Sequence, residues 1–115
     1  MFVSSCTSNN MKLIIGKWRG TFKSCDIITD IRNGNVFYER VYMPDGTVSF
    51  GRYDKPAQIS YPIGRGVYKI EGDVLFEGET KYYIKLLPED DLELERHIGN
   101  CVEIVSLRRD KGFSY

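Results

Sequence analysis

The chain is poor in the residues that most enzyme and metal chemistry requires. It has one histidine, His97, and three cysteines with no Cys-x-x-Cys spacing. A lone His gives neither a metal site nor a catalytic triad, and this cysteine spacing argues against zinc. Charge of one sign is lacking too: 16 Lys+Arg balance 16 Asp+Glu, a formal net charge of zero. A dedicated nucleic-acid binder usually carries a basic face, so nucleic acid is not an expected partner. No apolar run approaches the roughly 18 residues of a membrane-spanning helix. Gly64-Arg65-Gly66 is too short for a phosphate loop, and Glu89-Asp90-Asp91 has no calcium-loop pattern. Glu39 faces inward under one strand parity, but a single acid makes no acid–base pair. No catalytic residue, metal or cofactor is therefore expected, and the chain reads as a non-enzyme.

What the chain has is aromatic, strand-forming sequence. Aromatics make up 13% of its 115 residues, with eight Tyr and six Phe, enough for one domain. The only Trp, Trp18, sits at the start of the first strand-like run between Gly16 and Gly20. A large ring at that point plugs one end of a barrel, and the glycines let other groups approach it. The runs Lys17–Ile28, Val36–Met43, Thr47–Tyr53, Gly66–Ile70, Val74–Glu77, Thr80–Leu87, Leu92–His97 and Cys101–Arg109 read as eight strands. Asn33-Gly34, Pro44-Asp45-Gly46, Gly78, Pro88-Glu89-Asp90 and Gly99-Asn100 are turn signals between them. Asp54–Gly64 has two prolines and no period, and is expected as the longest loop and a lid. Regular hairpins without a helix predict a sandwich or an up-and-down barrel, and closure removes exposed edges.

Alternation assigns the faces. Tyr82, Ile84 and Leu86 face in, as do Leu92, Leu94 and Arg96, with Glu93, Glu95 and His97 outside. In the last strand Val102 and Ile104 fit inward with Glu103 outward, a parity that carries Ser106 and Arg108 inward. In the second strand either Tyr38, Arg40 and Tyr42 or Phe37, Glu39 and Val41 face in. Inward guanidinium groups are costly unless paired. With no inward carboxylate evident for Arg96 and Arg40, they either sit solvated at a barrel mouth or await an anionic ligand.

At this level the chain resembles the lipocalin-like families of the calycin group. They begin strand one with Gly-x-Trp, here Gly16-Lys17-Trp18, and lay a late arginine over that Trp, with Arg108 and Arg109 as candidates. It is most similar to small bacterial lipocalin-like lipoproteins, through Tyr42-Met43-Pro44-Asp45-Gly46-Thr47-Val48 and Gly66-Val67-Tyr68-Lys69-Ile70. It departs from full lipocalins in its shorter length, in lacking a C-terminal helix, and in lacking a Thr-Asp-Tyr motif before the seventh strand. The resemblance implies an eight-stranded antiparallel up-and-down barrel over residues 14–109, with tails at 1–13 and 110–115. Setting Trp18 opposite Arg108, as the resemblance suggests, brings Cys25 opposite Cys101 and predicts a disulfide closing the barrel, or free thiols that are neighbours.

Val3-Ser4-Ser5-Cys6 resembles a lipobox remnant, which would make Cys6 a lipidation site and membrane tether at a bacterial cell envelope; a disordered polar tail on a cytoplasmic protein is the other reading. The first expected function is binding of a small apolar or anionic, fatty-acid-like ligand by Tyr38, Arg40, Tyr42, Tyr82, Leu94 and Arg96. The alternative is an inhibitor- or immunity-type barrel, packed solid and acting through its surface loops. A single-strand nucleic-acid barrel is disfavoured by the zero net charge.

Overall fold

The computed structural model describes residues 10–23, 36–87 and 90–111. Eight antiparallel strands form a closed up-and-down barrel: β1 (Gly16–Lys23), β2 (Val36–Tyr42), β3 (Thr47–Asp54), β4 (Ile59–Glu71), β5 (Val74–Glu77), β6 (Thr80–Leu86), β7 (Asp91–Ile98) and β8 (Cys101–Arg109). β1 pairs with both β2 and β8, which closes the ring. Cys6, Cys25, Asn33-Gly34 and Pro88-Glu89 lie outside the described residues.

The barrel is closed at one end by side chains. Trp18, Ile14, Tyr42, Val48, Leu75, Leu92 and Leu94 are all but fully buried there and in the layer above. Tyr42 meets Tyr68 edge-to-face, with ring centroids 5.0 Å apart. Residues 10–14 are a helical turn packed under this end, so the folded unit takes in part of the expected N-terminal tail. The turn is held at both ends. Asn10 Nδ2 donates to Gly72 O at 2.7 Å, and Trp18 Nε1 donates to Ile14 O at 2.8 Å. Arg109 Nη1 donates to Ile15 O at 2.7 Å, and its Nη2 donates to Leu13 O. Its Cζ lies 4.3 Å from the Trp18 ring centroid, a cation–π stack. Three successive carbonyls that a helix end leaves unpaired thus all receive a donor.

Two glycines make this closure sterically open. A Cβ on Gly16 would stand 2.6 Å from Arg109 Nη1, and Gly16 has φ +137°. A Cβ on Gly20 would stand 1.8 Å from Ser106 O, because β1 and β8 run too close there for any side chain.

The last strand corrects the expected parity. Trp18 pairs with Arg109, not Arg108, so the register is one residue away from the expected one. A one-residue slip moves every side chain to the other face. Glu103, Val105, Leu107 and Arg109 point inward, while Val102 is 40% exposed and the Arg108 side chain 82% exposed. The β7–β8 register places Cys101, buried at the start of β8, opposite Ile98.

Two bulges reshape the wall. Between β6 and β7 the register shifts between Ile84 and Leu86, so Leu86 turns outward, 48% exposed, and Leu87 packs on the core instead. Between β3 and β4 the shift falls at Phe50/Gly51. The expected lid Asp54–Gly64 is mostly strand: β3 and β4 stay paired out to Asp54 and Ile59, leaving only the turn at 55–58. Pro62 is tolerated because β4 pairs with β5 only from Tyr68 onward and has a single partner at that point. The Pro44-Asp45-Gly46 turn forms as expected. Asp45 Oδ1 accepts from Thr47 Oγ1 at 2.7 Å and Thr47 N at 2.9 Å, which holds its carboxyl below the ordinary range.

Arg109→Ala removes two carbonyl bonds and the stack on Trp18, and is expected to cost about 2–4 kcal/mol in urea unfolding. Arg108→Ala, on the exposed face, is expected to stay within about 0.5 kcal/mol of the parent. Equal costs at the two positions would contradict the register.

Candidate functional site

Inside the barrel, above the closed end, polar groups gather in a layer. Tyr38, Arg40 and Tyr42 alternate inward from β2: Tyr42 is fully buried, and Arg40 keeps only 14% of its side chain exposed. The other parity is not lost, because Glu39 is buried on the outer wall. There it accepts from Arg19 Nε at 2.8 Å and Ser60 Oγ at 3.1 Å. Glu39 can reach across β3 to β4 because Gly51 stands between them in register.

The expected anion-seeking arginines have carboxylate partners of their own. Arg40 Nη2 lies 3.4 Å from Glu77 Oε1, and Tyr42 Oη donates to Glu77 Oε2. Arg96 Nη2 lies 3.8 Å from Glu103 Oε2, directly across the β7–β8 ladder. Tyr82 lies between the two pairs, and all four charged groups act on it electrostatically. Two cations and two anions make this layer neutral in sum, which argues against a site that needs a full anion for balance. Burial opposes the Arg40 charge, but Tyr42, Glu77 and Tyr82 outweigh it and hold its pKa above the ordinary value. Burial, reinforced by Glu77, pushes the Tyr42 phenol well above its ordinary value, and burial pushes Tyr82 upward.

Of the six expected ligand residues, Tyr42, Tyr82 and Leu94 are packed into the core, and Arg40 and Arg96 are in ion pairs. Tyr38 meets Phe22 edge-to-face at 5.5 Å, higher in the barrel. Reading from the sequence missed Glu77 and Glu103. The signal available for Glu103 was the need of Arg96 for a partner, which its opposed position in the last strand supplies.

One acceptor remains missing on each arginine. Arg40 Nε and Arg96 Nε are buried and make no hydrogen bond among the described residues. Above them the wall opens. Register carries the inward face from Tyr38 to Arg52 and Tyr61, and Tyr61 is 50% exposed. Phe50 lies over Gly66, whose Cβ would be 3.5 Å from the ring. That end carries the rings of Phe22, Tyr38, Phe50 and Tyr61, with Arg52 on the same inward face.

A concavity of about 680 Å³ lies on the outer wall, lined by Arg19, Thr21, Phe37, Tyr53, Lys55, Asp91, Ser106 and Arg108 among others. Among the described residues no group of three His, Cys, Asp or Glu could hold a metal ion.

The buried phenols predict an alkaline limit. Their folded pKa values lie above the unfolded value of about 10, so their contribution is intact below that pH. As pH rises past it, the unfolded chain sheds protons that the folded chain keeps, and stability falls. Tyrosinate absorbance is expected to show Tyr42 and Tyr82 ionising only together with loss of the Trp18 fluorescence signal. Complete titration of all eight tyrosines before unfolding would contradict this.

Compared with known proteins, the chain matches no family model and no curated protein.

Proposed function

We propose that this protein is a binding barrel that takes a small ligand through its open end. The observation that carries the reading is the pair of buried Nε–H donors on Arg40 and Arg96, which have no acceptor among the described residues, beneath the aromatic rings of the open end. A buried donor left unpaired costs about 1–3 kcal/mol, so a ligand that brings an acceptor recovers that energy on binding. Because Glu77 and Glu103 already balance both arginines, the preferred head group is a neutral acceptor such as an amide or ester carbonyl. The apolar body of such a ligand would lie against Phe22, Tyr38 and Tyr61. The fatty-acid-like anion suggested by the sequence becomes the less favoured member of this class, since its charge would meet a layer that is already neutral.

A second reading, an interaction protein acting through its surface, is favoured by the β3–β4 hairpin, where Ile59, Tyr61 and Ile63 are 46%, 50% and 62% exposed. A Cys25–Cys101 bridge and acylation at Cys6 belong to the same proposal of an envelope protein. Intact mass reads both: two hydrogens fewer for the bridge, and an added acyl mass for the anchor.

Native mass spectrometry of protein purified from cells separates the two functional readings. A co-purifying mass that denaturation releases, or uptake of an added long-chain primary amide in preference to the matching fatty acid, is the expected result. The double variant R96M/E103L removes one ion pair without leaving a lone charge, and is expected to keep the fold while losing that mass. A bare chain that takes up neither the amide nor the fatty acid would overturn the barrel reading in favour of the surface.

A further inference from the structure

The outer-wall groove is a second site with chemistry of its own. It forms where the wall parts. β1 pairs with β2 only as far as Gly20↔Tyr38, but it stays paired with β8 to Lys23. Phe37 and Tyr53 are directly opposed on the outer faces of β2 and β3 and put two aromatic rings side by side. The Arg19 guanidinium stacks on Tyr53, with its Cζ 3.5 Å from the ring centroid.

Across the β1–β8 ladder, Arg19 is paired in register with Arg108. Like charges directly opposed on one face of a sheet repel, so the arrangement is costly unless an anion lies between them. Among the described residues, the groove itself is lined by three cations, Arg19, Lys55 and Arg108, and by one carboxylate, Asp91. Arg19 bonds Glu39 at 2.8 Å on β2 and faces Asp110 at 3.5 Å, while Arg108 bonds Asp91 at 3.1 Å on β7. Arg19 is thereby held in place, and Arg108, with 82% of its side chain exposed, lines the groove beside its partner Asp91. The next rung on the same face of that ladder is Thr21↔Ser106, two hydroxyls beside the two guanidinium groups. The volume, about 680 Å³, falls within the range of small-molecule sites.

We propose that this groove binds an aryl oxyanion, a planar aromatic ring carrying a phosphate or carboxylate. The oxyanion lies between Arg19 and Arg108 and accepts from the Thr21 and Ser106 hydroxyls. The ring lies on Phe37 beside the Arg19–Tyr53 stack. The inference does not depend on the barrel ligand, because the groove residues face away from the interior.

The test is a titration of isotope-labelled protein followed through its backbone amides, with four probes: phenyl phosphate, benzoate, inorganic phosphate and benzyl alcohol. Phenyl phosphate or benzoate is expected to shift the amides of Thr21, Phe37 and Ser106, and the difference between them identifies the preferred head group. Inorganic phosphate and benzyl alcohol are expected to bind at least about tenfold more weakly, each lacking one half of the recognition. Arg108→Gln, at an exposed position that leaves the fold intact, is expected to weaken the aryl anion by about tenfold. R96M/E103L is expected to leave the shifts unchanged, which separates this site from the barrel. The proposal is overturned if neither aryl anion shifts these amides, if inorganic phosphate or benzyl alcohol binds as tightly, or if Arg108→Gln has no effect.

Discussion

Three consecutive backbone carbonyls, those of Leu13, Ile14 and Ile15, need donors where the short helical turn gives way to β1, and two side chains supply them. Trp18 serves the middle carbonyl and Arg109 the outer two, while the guanidinium also lies on the indole ring. This one arrangement links the first strand, the last strand and the turn beneath the barrel. Without it the closed end would expose orphan carbonyls to an apolar core, and burial there would be costly. The glycine at position 16 follows from the same geometry, since a side chain there would meet the arginine.

Above that end the barrel solves a second problem, how to place arginines indoors. Arg40 and Arg96 each take a carboxylate from another strand, Glu77 and Glu103, with Tyr42 and Tyr82 in the same network. Removing one member would leave its partner charged and buried, so each pair stands or falls as a unit. The pairing leaves two buried Nε–H donors without an acceptor among the described residues. The two ion pairs make the layer neutral in sum. The outer groove differs: among the described residues, Arg19, Lys55 and Arg108 line it with a single carboxylate, Asp91, and the two arginines are neighbours on one face.

Much of this was legible in the chain. Hairpin turns such as Pro44-Asp45-Gly46 and the alternation within each run placed eight strands, several with ends within a residue or two of those observed. The inward set of β7, Leu92, Leu94 and Arg96, follows from its outward acids. Illegible stretches share a physical cause. In β8 both alternations carry apolar residues and one or two charges, Glu103 and Arg109 on one side and Arg108 on the other, so hydrophobicity does not choose between them. The bulge before Leu86 moves a leucine out of a face where unbroken alternation would keep it. The prolines of Asp54–Gly64 suggested a loop, but Pro62 occupies a strand position with one neighbour and disrupts no ladder there.

The sequence by itself determined the class of fold, the number of strands and the position of the indole plug. These depend on local alternation, on turn residues with restricted φ, and on the scarcity of large rings at strand starts. Only the tertiary structure decided which arginine covers Trp18, which carboxylates enter the barrel, and where two arginines become neighbours on the outer wall. Those outcomes depend on cross-strand register, and register is a relation between distant segments. A shift of one residue in β8 exchanges its inner and outer faces without changing any local preference of the strand.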